Sequence, residues 1–376
     1  MSESVSGMLL LPEGPVPGTI RFGRTITAIE RGGDVPDRII APGFIDAHVH
    51  GGGGGDTMDG PGGVRTLAAF HSSRGTTTIL PTTITNPFAD VVRVLEGVRA
   101  VRADGDPALP DIPGAHLEGP FISRERLGAQ PDFALPPEPE LISRVLETQA
   151  VSVVTIAPEL PGAEAAARRF AEAGVRVSFG HSADDGSATR RLLQAVRAAG
   201  GSAGFTHLFN AMGGISARVP GVAGTALTDS GSWAEIIFDG HHLHADVLRL
   251  AQAAKPGKLL FVTDAMRASG LGDGPTELGG QPVTVTDGRA QLEDGTLAGS
   301  VLTMDAAFRN ARAAGFRWQE TVRLTSTNAA AYLGLSDRGS LRAGLRADLV
   351  VLDGNLQVTD VRVAGRSLQS RTARGD

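Results

Sequence analysis

Along most of this chain, short runs of unbroken apolar character take turns with stretches whose apolar residues recur at helical spacing. The runs fall at residues 39–50, 76–83, 112–118, 151–158, 175–181, 204–209, 234–240 and 258–264, and helical patterns cover 62–73, 88–103, 138–149, 162–173 and 185–199. A strand that is apolar throughout is covered on both faces, as parallel strands between helices are. Eight strand–helix units in one segment predict an α/β fold, a (β/α)8 TIM-like barrel over residues 43–334. Two inserts break the rhythm, 121–137 and 272–299, the second patterned as a hairpin. Both are expected at the mouth of the site.

The two ends of the chain have a different texture. Residues 5–40 carry shorter apolar stretches parted by Pro and Gly, and residues 339–368 repeat that pattern. These read as strands. We expect residues 1–42 and 335–376 to pair into one small β-sandwich subdomain, with the termini lying together.

The stretch 39–55, IIAPGFIDAHVHGGGGG, is an apolar run ending in Asp46, His48 and His50 and followed by five glycines. Alternate side chains on a strand share a face, so His48 and His50 point the same way and can hold one metal ion. The rival reading is a pair of ordinary half-buried histidines. The glycines lack Cβ atoms and are expected to form a flexible, open mouth. Further polar residues end other apolar runs: Glu118 in HLEG, His181 in SFGH, His207 in FTHLFNAM and Asp264 in LLFVTDA. These residues fall toward the C-terminal ends of predicted strands, the face on which barrel enzymes build their sites. Any one alone reads as a hydrogen-bonded structural residue. Together they predict a divalent metal centre, because gathering buried carboxylates and imidazoles is costly without a cation to balance them.

Composition narrows the chemistry. The 376 residues, 41% hydrophobic and 20% charged, are enough for a barrel and a small appended domain. There is no cysteine, which excludes a disulfide framework, a thiolate metal site and a cysteine nucleophile, so a metal must rest on His, Asp and Glu. The formal charge of −6, with basic residues scattered, argues against nucleic acid as a partner. The N-terminal residues lack a basic-then-apolar signal pattern, and no run of about 18 apolar residues is present to span a bilayer. A cytoplasmic protein with no membrane partner is the expectation.

The motifs PGFIDAHVHGGGG, HLEGPF, GHS, THLFNAM, DGHH, VTDA, AGSVLTM, TNAAAYLGL and RADLVVLD resemble the amidohydrolase superfamily over residues 39–353. Within it they look like the family of N-acetylglucosamine-6-phosphate deacetylases, to which HLEGPF, THLFNAM and DGHH are the narrower pointers. The resemblance implies that Glu118, His181 and His207 hold a catalytic divalent metal, and that His48 and His50, with Asp264, border a second site. One or two ions are expected, zinc first, with iron, manganese or cobalt as alternatives. Asp264 is placed to take a proton from water and return it to the departing amine. Asn210, Ala211, Arg218 and His242 correspond to the family's sugar and phosphate contacts, and a guanidinium fork suits phosphate geometry. The implied reaction is hydrolysis of N-acetylglucosamine 6-phosphate to glucosamine 6-phosphate and acetate, in a homodimer whose neighbouring subunit contributes to the phosphate pocket.

One departure stands out. After HLEGPF the family reads KGAH-x-P, with the histidine reaching substrate, whereas residues 127–131 here read LGAQP. Gln130 can donate to a carbonyl but cannot become cationic, so oxyanion stabilisation falls more heavily on the metal. The only lysines are Lys255 and Lys258, which disfavours the amidohydrolases that bridge two metals with a carboxylated lysine on the fourth strand and leaves Glu118 as the bridging ligand. His116 shares a strand face with Glu118 and is expected to back the site; His71 reads as core or surface, and His241 and His244 as structural or solvent-facing. Two other readings stay open. Another amidohydrolase, such as an N-acyl-amino-acid deacylase or a deaminase, would not need Arg218 and His242 as an anion pocket. A catalytically dead scaffold typically loses metal ligands, and this chain keeps its candidates.

Overall fold

In the computed structural model, which describes residues 3–368, each of the eight apolar runs contains a buried strand. They are β1 (Phe44–Val49), β2 (Thr76–Pro81), β3 (Ala115–Leu117), β4 (Val151–Ile156), β5 (Arg176–Phe179), β6 (Ala203–Phe205), β7 (Ala234–Ile237) and β8 (Leu259–Val262). A helix follows each one: α1 (Pro61–Ser73), α2 (Phe88–Asp104), α3 (Pro139–Glu147), α4 (Ala163–Glu172), α5 (Ser187–Ala198), α6 (Gly221–Thr228), α7 (Ala245–Ala254) and α8 (Met304–Ala313). On α2 the buried stripe includes Val91, Val94, Leu95 and Val98, the spacing of a single helical face, whereas α6 is buried from Gly221 to Leu227.

The pairing is parallel throughout. β1 pairs with β2, β3 to β6 form one four-stranded sheet, and β7 pairs with β8. A parallel bridge between Thr82 and His116 links β2 to β3, the Leu208 N–H donates to the Glu235 carbonyl at the β6–β7 step, and the Asp264 N–H donates to the His48 carbonyl beyond β8. The last strand is thereby joined to the first. Asp46 reinforces that seam, accepting from the Thr263 backbone N at 3.2 Å and its hydroxyl at 2.6 Å.

Both ends of the chain enter one seven-stranded sheet, in the order Arg366–Ser367, Val358–Val363, Leu349–Asp353, Arg38–Pro42, Glu3–Leu11, Gly14–Phe22 and Ile26–Arg31. It has its own apolar cluster, built from Leu9, Leu11, Ile20, Phe22, Ile26, Ile40, Leu341, Ala347 and Leu349. Residues 1–2 and 369–376 of the expected terminal unit lie outside the described residues. Among the described residues, no helix is long and apolar enough to cross a membrane.

Three features differ from expectation. The run 39–50 is two strands, not one: Arg38–Pro42 belongs to the terminal sheet, and β1 begins after Gly43. Gly43 is required at the junction, since a Cβ there would meet the Thr77 hydroxyl at 2.1 Å. The insert at 272–299 is a three-stranded antiparallel meander, Gly274–Leu278, Gln281–Thr286 and Arg289–Gln291, rather than a hairpin. Its turns, Gly279-Gly280 and Asp287-Gly288, have positive φ at both central residues, the twist that suits tight hairpins. Lastly, the glycine run is no open mouth. Gly51 and Gly52 pair with Asp56 and Gly55, and the N–H groups of Gly51, Gly53 and Gly54 donate to the carbonyls of Ala265, Ser269 and Arg267. The missing Cβ atoms serve close backbone packing instead: at Gly51 a Cβ would lie 2.6 Å from the Arg267 nitrogen.

Candidate active site

The strand ends converge on one cluster. His48 is the fifth residue of β1 and His50 follows that strand; Glu118 directly follows β3; His181, His207 and Asp264 each lie two residues beyond β5, β6 and β8. The last three take the left-handed backbone region, with φ of 47°, 30° and 49°. Such residues cost about 1–3 kcal/mol each and persist where surrounding bonds dictate them. At Asp264 those bonds are its N–H to the His48 carbonyl at 2.9 Å and the Ser300 N–H to its own carbonyl at 2.8 Å.

The side chains form two adjoining poles. In the first, Glu118 Oε1 lies 3.1 Å from His181 Nε2 and 3.0 Å from His207 Nε2, and those two nitrogens are 3.0 Å apart. In the second, His48 Nε2 and His50 Nε2 are 3.3 Å apart, with Glu118 Oε2 at 3.2 Å from His50. Asp264 Oδ1 stands beside the second pole, 3.2 Å from His50 Nε2 and 3.4 Å from His48 Nε2. Glu118 thus belongs to both.

The donor chemistry fits a cation at each pole. His181 Nδ1 is 2.8 Å from the Arg126 carbonyl, which only accepts, so Nδ1 carries the hydrogen and a neutral ring turns the Nε2 lone pair inward. His48 Nδ1 likewise faces a carboxylate oxygen, Glu235 Oε2, at 3.0 Å. Lone pairs facing one another across about 3 Å repel unless a proton or a metal ion lies between them. The electrostatics agree. Burial alone would lower His48 and His50, but the charges and hydrogen bonds of Glu118 and Asp264 overcome it, raising His48 well above its ordinary value and His50 to about 9. Burial alone would raise Glu118 and Asp264, yet the surrounding imidazoles hold both below the usual carboxylate range. The cluster attracts positive charge from every side.

These groups open onto a cavity of about 370 Å³ lined by His50, Glu118, His181, His207 and Asp264. Three larger clefts, of about 550, 560 and 470 Å³, hold no comparable cluster, so chemistry rather than size picks out the site. The same cavity is lined by Asn210, Ala211, His242 and Gln130. Gln130 is fixed: its Oε1 accepts from the Thr85 N–H at 2.7 Å and its Nε2 donates to Glu118 Oε2 at 2.6 Å. Arg218 is the exception. It sits in the exposed segment 214–219 and does not line this chain's cavity. Its place in the loop before α6 carries it outward, past the strand ends that gather the others.

The remaining histidines resolve. His116 is buried, with Nδ1 3.2 Å from the Ala47 carbonyl and Nε2 2.8 Å from the Thr155 hydroxyl; burial pushes it down to about 4, which keeps it neutral. His71 is core, bonded to the Gly51 carbonyl. His244 caps α7, and His241 is exposed. Lys255 is buried away from the cavity, its ammonium bonded to the Ala226 and Asp229 carbonyls and Ser232.

Sequence reasoning missed three residues. Glu235 stands behind His48, and its only signal was a charge inside an apolar run. Asp239 accepts from the backbone N–H groups of His241 and His242 and pairs with His242 Nδ1 at 2.7 Å; this outweighs the effect of burial and raises His242 above its ordinary value. Arg126 lines the cavity from the 121–137 insert.

Parallel α/β architecture with imidazoles and carboxylates collected at strand ends defines a metal-dependent hydrolase. The Amidohydrolase family model matches residues 39–369, and the chain belongs to that family. It is 40% identical over 333 residues to the N-acetylglucosamine-6-phosphate deacetylase of Bacillus subtilis (strain 168), covering 86% of this chain and 82% of that protein. It is 36% identical over 341 residues to the N-acetylgalactosamine-6-phosphate deacetylase of Escherichia coli O157:H7, covering 87% of each. Among solved structures, a mutant N-acetyl-D-glucosamine-6-phosphate deacetylase from Mycobacterium smegmatis, in complex with N-acetyl-D-glucosamine-6-phosphate, superposes with a TM-score of 0.89 at 35% identity, covering 98% of this chain and 99% of that one.

Proposed function

We propose that this protein is a metal-dependent deacetylase that hydrolyses N-acetylglucosamine 6-phosphate to glucosamine 6-phosphate and acetate. One observation carries the reading: Asp264, Glu118, His181 and His207 share a cavity wall with Asn210 and His242, so an amide cleavage centre and polar groups suited to a phosphorylated sugar occur together. The names of the relatives point to the same substrate class.

Glu118, His181 and His207 would hold the principal ion, and His48, His50 and Glu118 a second. A divalent cation there supplies a Lewis acid for the acetyl oxygen and lowers the pKa of water from 15.7 to about 7–9. Imidazole and carboxylate donors suit zinc, with iron, manganese or cobalt as alternatives. Asp264, ionised at neutral pH, takes the proton of the attacking water and delivers it to the sugar nitrogen as the C–N bond breaks. Gln130 spends one N–H on Glu118 and keeps the second for the acetyl oxygen. His242 and Arg218 pair the phosphate. Because Arg218 stands outside its own cavity, we assign its guanidinium to a neighbouring subunit's pocket in a homodimer, and the protein to the cytoplasm.

We also read the eight strands as a closed (β/α)8 barrel over residues 43–334, flanked by a β subdomain built on the seven-stranded sheet that both ends of the chain enter. The Asp264–His48 and Asp46–Thr263 bonds across the seam support closure.

The test is a panel of N-acetylglucosamine and N-acetylgalactosamine, each with and without 6-phosphate, together with N-acyl amino acids, and metal analysis of the protein used. The expected result is a preference of at least about 10²-fold in kcat/KM for N-acetylglucosamine 6-phosphate over the unphosphorylated sugar, since a site built for a dianion leaves buried donors unpaired without it. Equal rates for the two, or faster cleavage of N-acyl amino acids, overturns the reading.

A further inference from the structure

Glu235 lies in the middle of β7, between Ala234 and Ile236, and is 1% exposed. A carboxylate inside a buried strand is costly unless something compensates it. Its Oε2 lies 3.0 Å from His48 Nδ1 and accepts from the His207 backbone N at 3.3 Å, while Oε1 has no hydrogen-bond partner. His116 is a further titratable neighbour, at 3.9 Å, but both its ring nitrogens are bonded elsewhere, to the Ala47 carbonyl and the Thr155 hydroxyl. Among the described residues, His48 is therefore the one titratable side chain within hydrogen-bonding distance of this carboxylate.

The bond sets the direction of the ring. An ionised carboxylate only accepts, so His48 Nδ1 must donate, and in the neutral ring the Nε2 lone pair is left facing His50 at 3.3 Å and Glu118 Oε1 at 3.6 Å. No other imidazole of the two cation poles is held this way. His181 Nδ1 leans on a neutral carbonyl, and the Nδ1 atoms of His50 and His207 have no partner. A carboxylate behind a ligating histidine fixes its tautomer and raises its basicity, and losing such a partner typically weakens metal binding 10–100-fold.

We propose that Glu235 is the positioning residue of the second cation pole: by holding His48 Nδ1–H it keeps Nε2 free to bind a divalent ion with His50 and Glu118, while the Glu118–His181–His207 pole does not depend on it. This rests on the reading above that both poles take cations. Glu235 touches neither the cavity nor the reacting atoms; its one side-chain partner is His48, and its contact with the principal pole is the longer one, from the His207 backbone N at 3.3 Å.

The experiment loads the full-length protein with zinc, measures zinc per chain by atomic emission and follows zinc release to a chromogenic chelator. Wild type should carry two ions per chain. Glu235→Leu should carry one, with the slowly released ion unchanged. Glu235→Gln, whose amide oxygen still accepts from Nδ1–H, should keep both but release the second about 10–100-fold faster, which provides a test even if the leucine variant fails to fold. Adding Glu235→Leu to His48→Gln should change zinc content and release no further than His48→Gln does alone, whereas a merely structural glutamate would add its own effect. Retention of two ions with wild-type release in Glu235→Leu, parallel loss of both ions, or additivity in the double variant overturns the proposal. So does a wild type that takes up a single ion. The deacetylase reading is judged separately, by the substrate panel.

Discussion

The wall of the site and its rim are built on different principles. Glu118, His181, His207 and Asp264 are at most 7% exposed. They sit at strand ends whose backbone bonds determine where each side chain points. The rim residues Arg218 and Arg126 are exposed, the first in a loop and the second at the end of the short 3-10 turn Arg124–Arg126, and their guanidinium groups have no hydrogen-bond or ion-pair partner among the described residues. A parallel sheet surrounded by helices is rigid where its strands end, so it can hold reactive groups in place before any ligand arrives. Loops above it can vary without disturbing the sheet.

The contrast breaks most sharply at the wall. Glu118→Gln, His181→Asn and His207→Asn should each release the principal ion and lower kcat/KM by at least about 10³-fold, because Lewis-acid stabilisation contributes several kcal/mol and each 1.36 kcal/mol is tenfold. The strands should survive, since the sheet bonds are backbone bonds. Metal analysis, kinetics and thermal melts followed by circular dichroism check this together. Full metal content with normal turnover would remove these residues from the centre.

Asp264→Asn separates proton transfer from metal binding within the same wall. Metal should stay bound, and kcat should fall by at least about 10²-fold, the lower end of what general acid–base catalysis provides. A near-normal kcat would assign the proton to another group.

The same contrast explains what the sequence could show. A wall residue leaves a local signature, an apolar run that stops at an acid or an imidazole, because the strand's burial and its end are adjacent in the chain. Glu118, His181, His207 and Asp264 were legible for that reason, and α1 to α5 were legible from the helical spacing of their apolar residues, whereas α6, buried along its whole length, has no such stripe to read. Glu235 was hidden because its partner His48 is 187 positions away and the pairing exists only once β7 and β1 share an interior. Gly43 and the glycines after His50 were misread for a related reason: they accommodate Thr77 and Arg267, which are distant in sequence. The resemblance to the family brought Arg218 forward as a phosphate contact, yet nothing local shows whose pocket a loop arginine reaches.

At the rim, Arg218→Ala should raise KM for N-acetylglucosamine 6-phosphate by about 10–100-fold, the value of one charge-assisted hydrogen bond of about 1.5–3 kcal/mol, with kcat changed little. Slow cleavage of the unphosphorylated sugar should be unaffected. If the guanidinium acts across subunits, mixed dimers of Arg218→Ala with Asp264→Asn chains should regain one site with both groups intact. Mixed samples no more active than the average of their parents would place Arg218 in its own pocket or outside recognition.

The smallest expected effect lies where wall and rim meet, at Asp239 and His242. Asp239 raises His242 above its ordinary value of 6.5. Asp239 and Asp264 are the charged groups facing that imidazole, and both favour its protonated form. A cationic His242 therefore strengthens phosphate binding below its raised pKa, and that contribution is lost as pH rises through it. In Asp239→Asn the Asn Oδ1 can still accept the two backbone N–H groups, and a neutral His242 can still donate from Nε2, so the hydrogen bond to phosphate survives and only the charge is lost. Each unit of pKa shift then moves the affinity at fixed pH by at most tenfold, about 1.4 kcal/mol. KM for the phosphorylated sugar should begin to rise at lower pH in the variant than in wild type, while KM for the unphosphorylated sugar shows no such displacement. The phosphate itself becomes a dianion near pH 6, which strengthens binding with rising pH in both proteins and cancels in the comparison. Superimposable KM profiles for the two proteins would show that His242 recognises the phosphate as a neutral donor and that Asp239 only holds the DGHH turn.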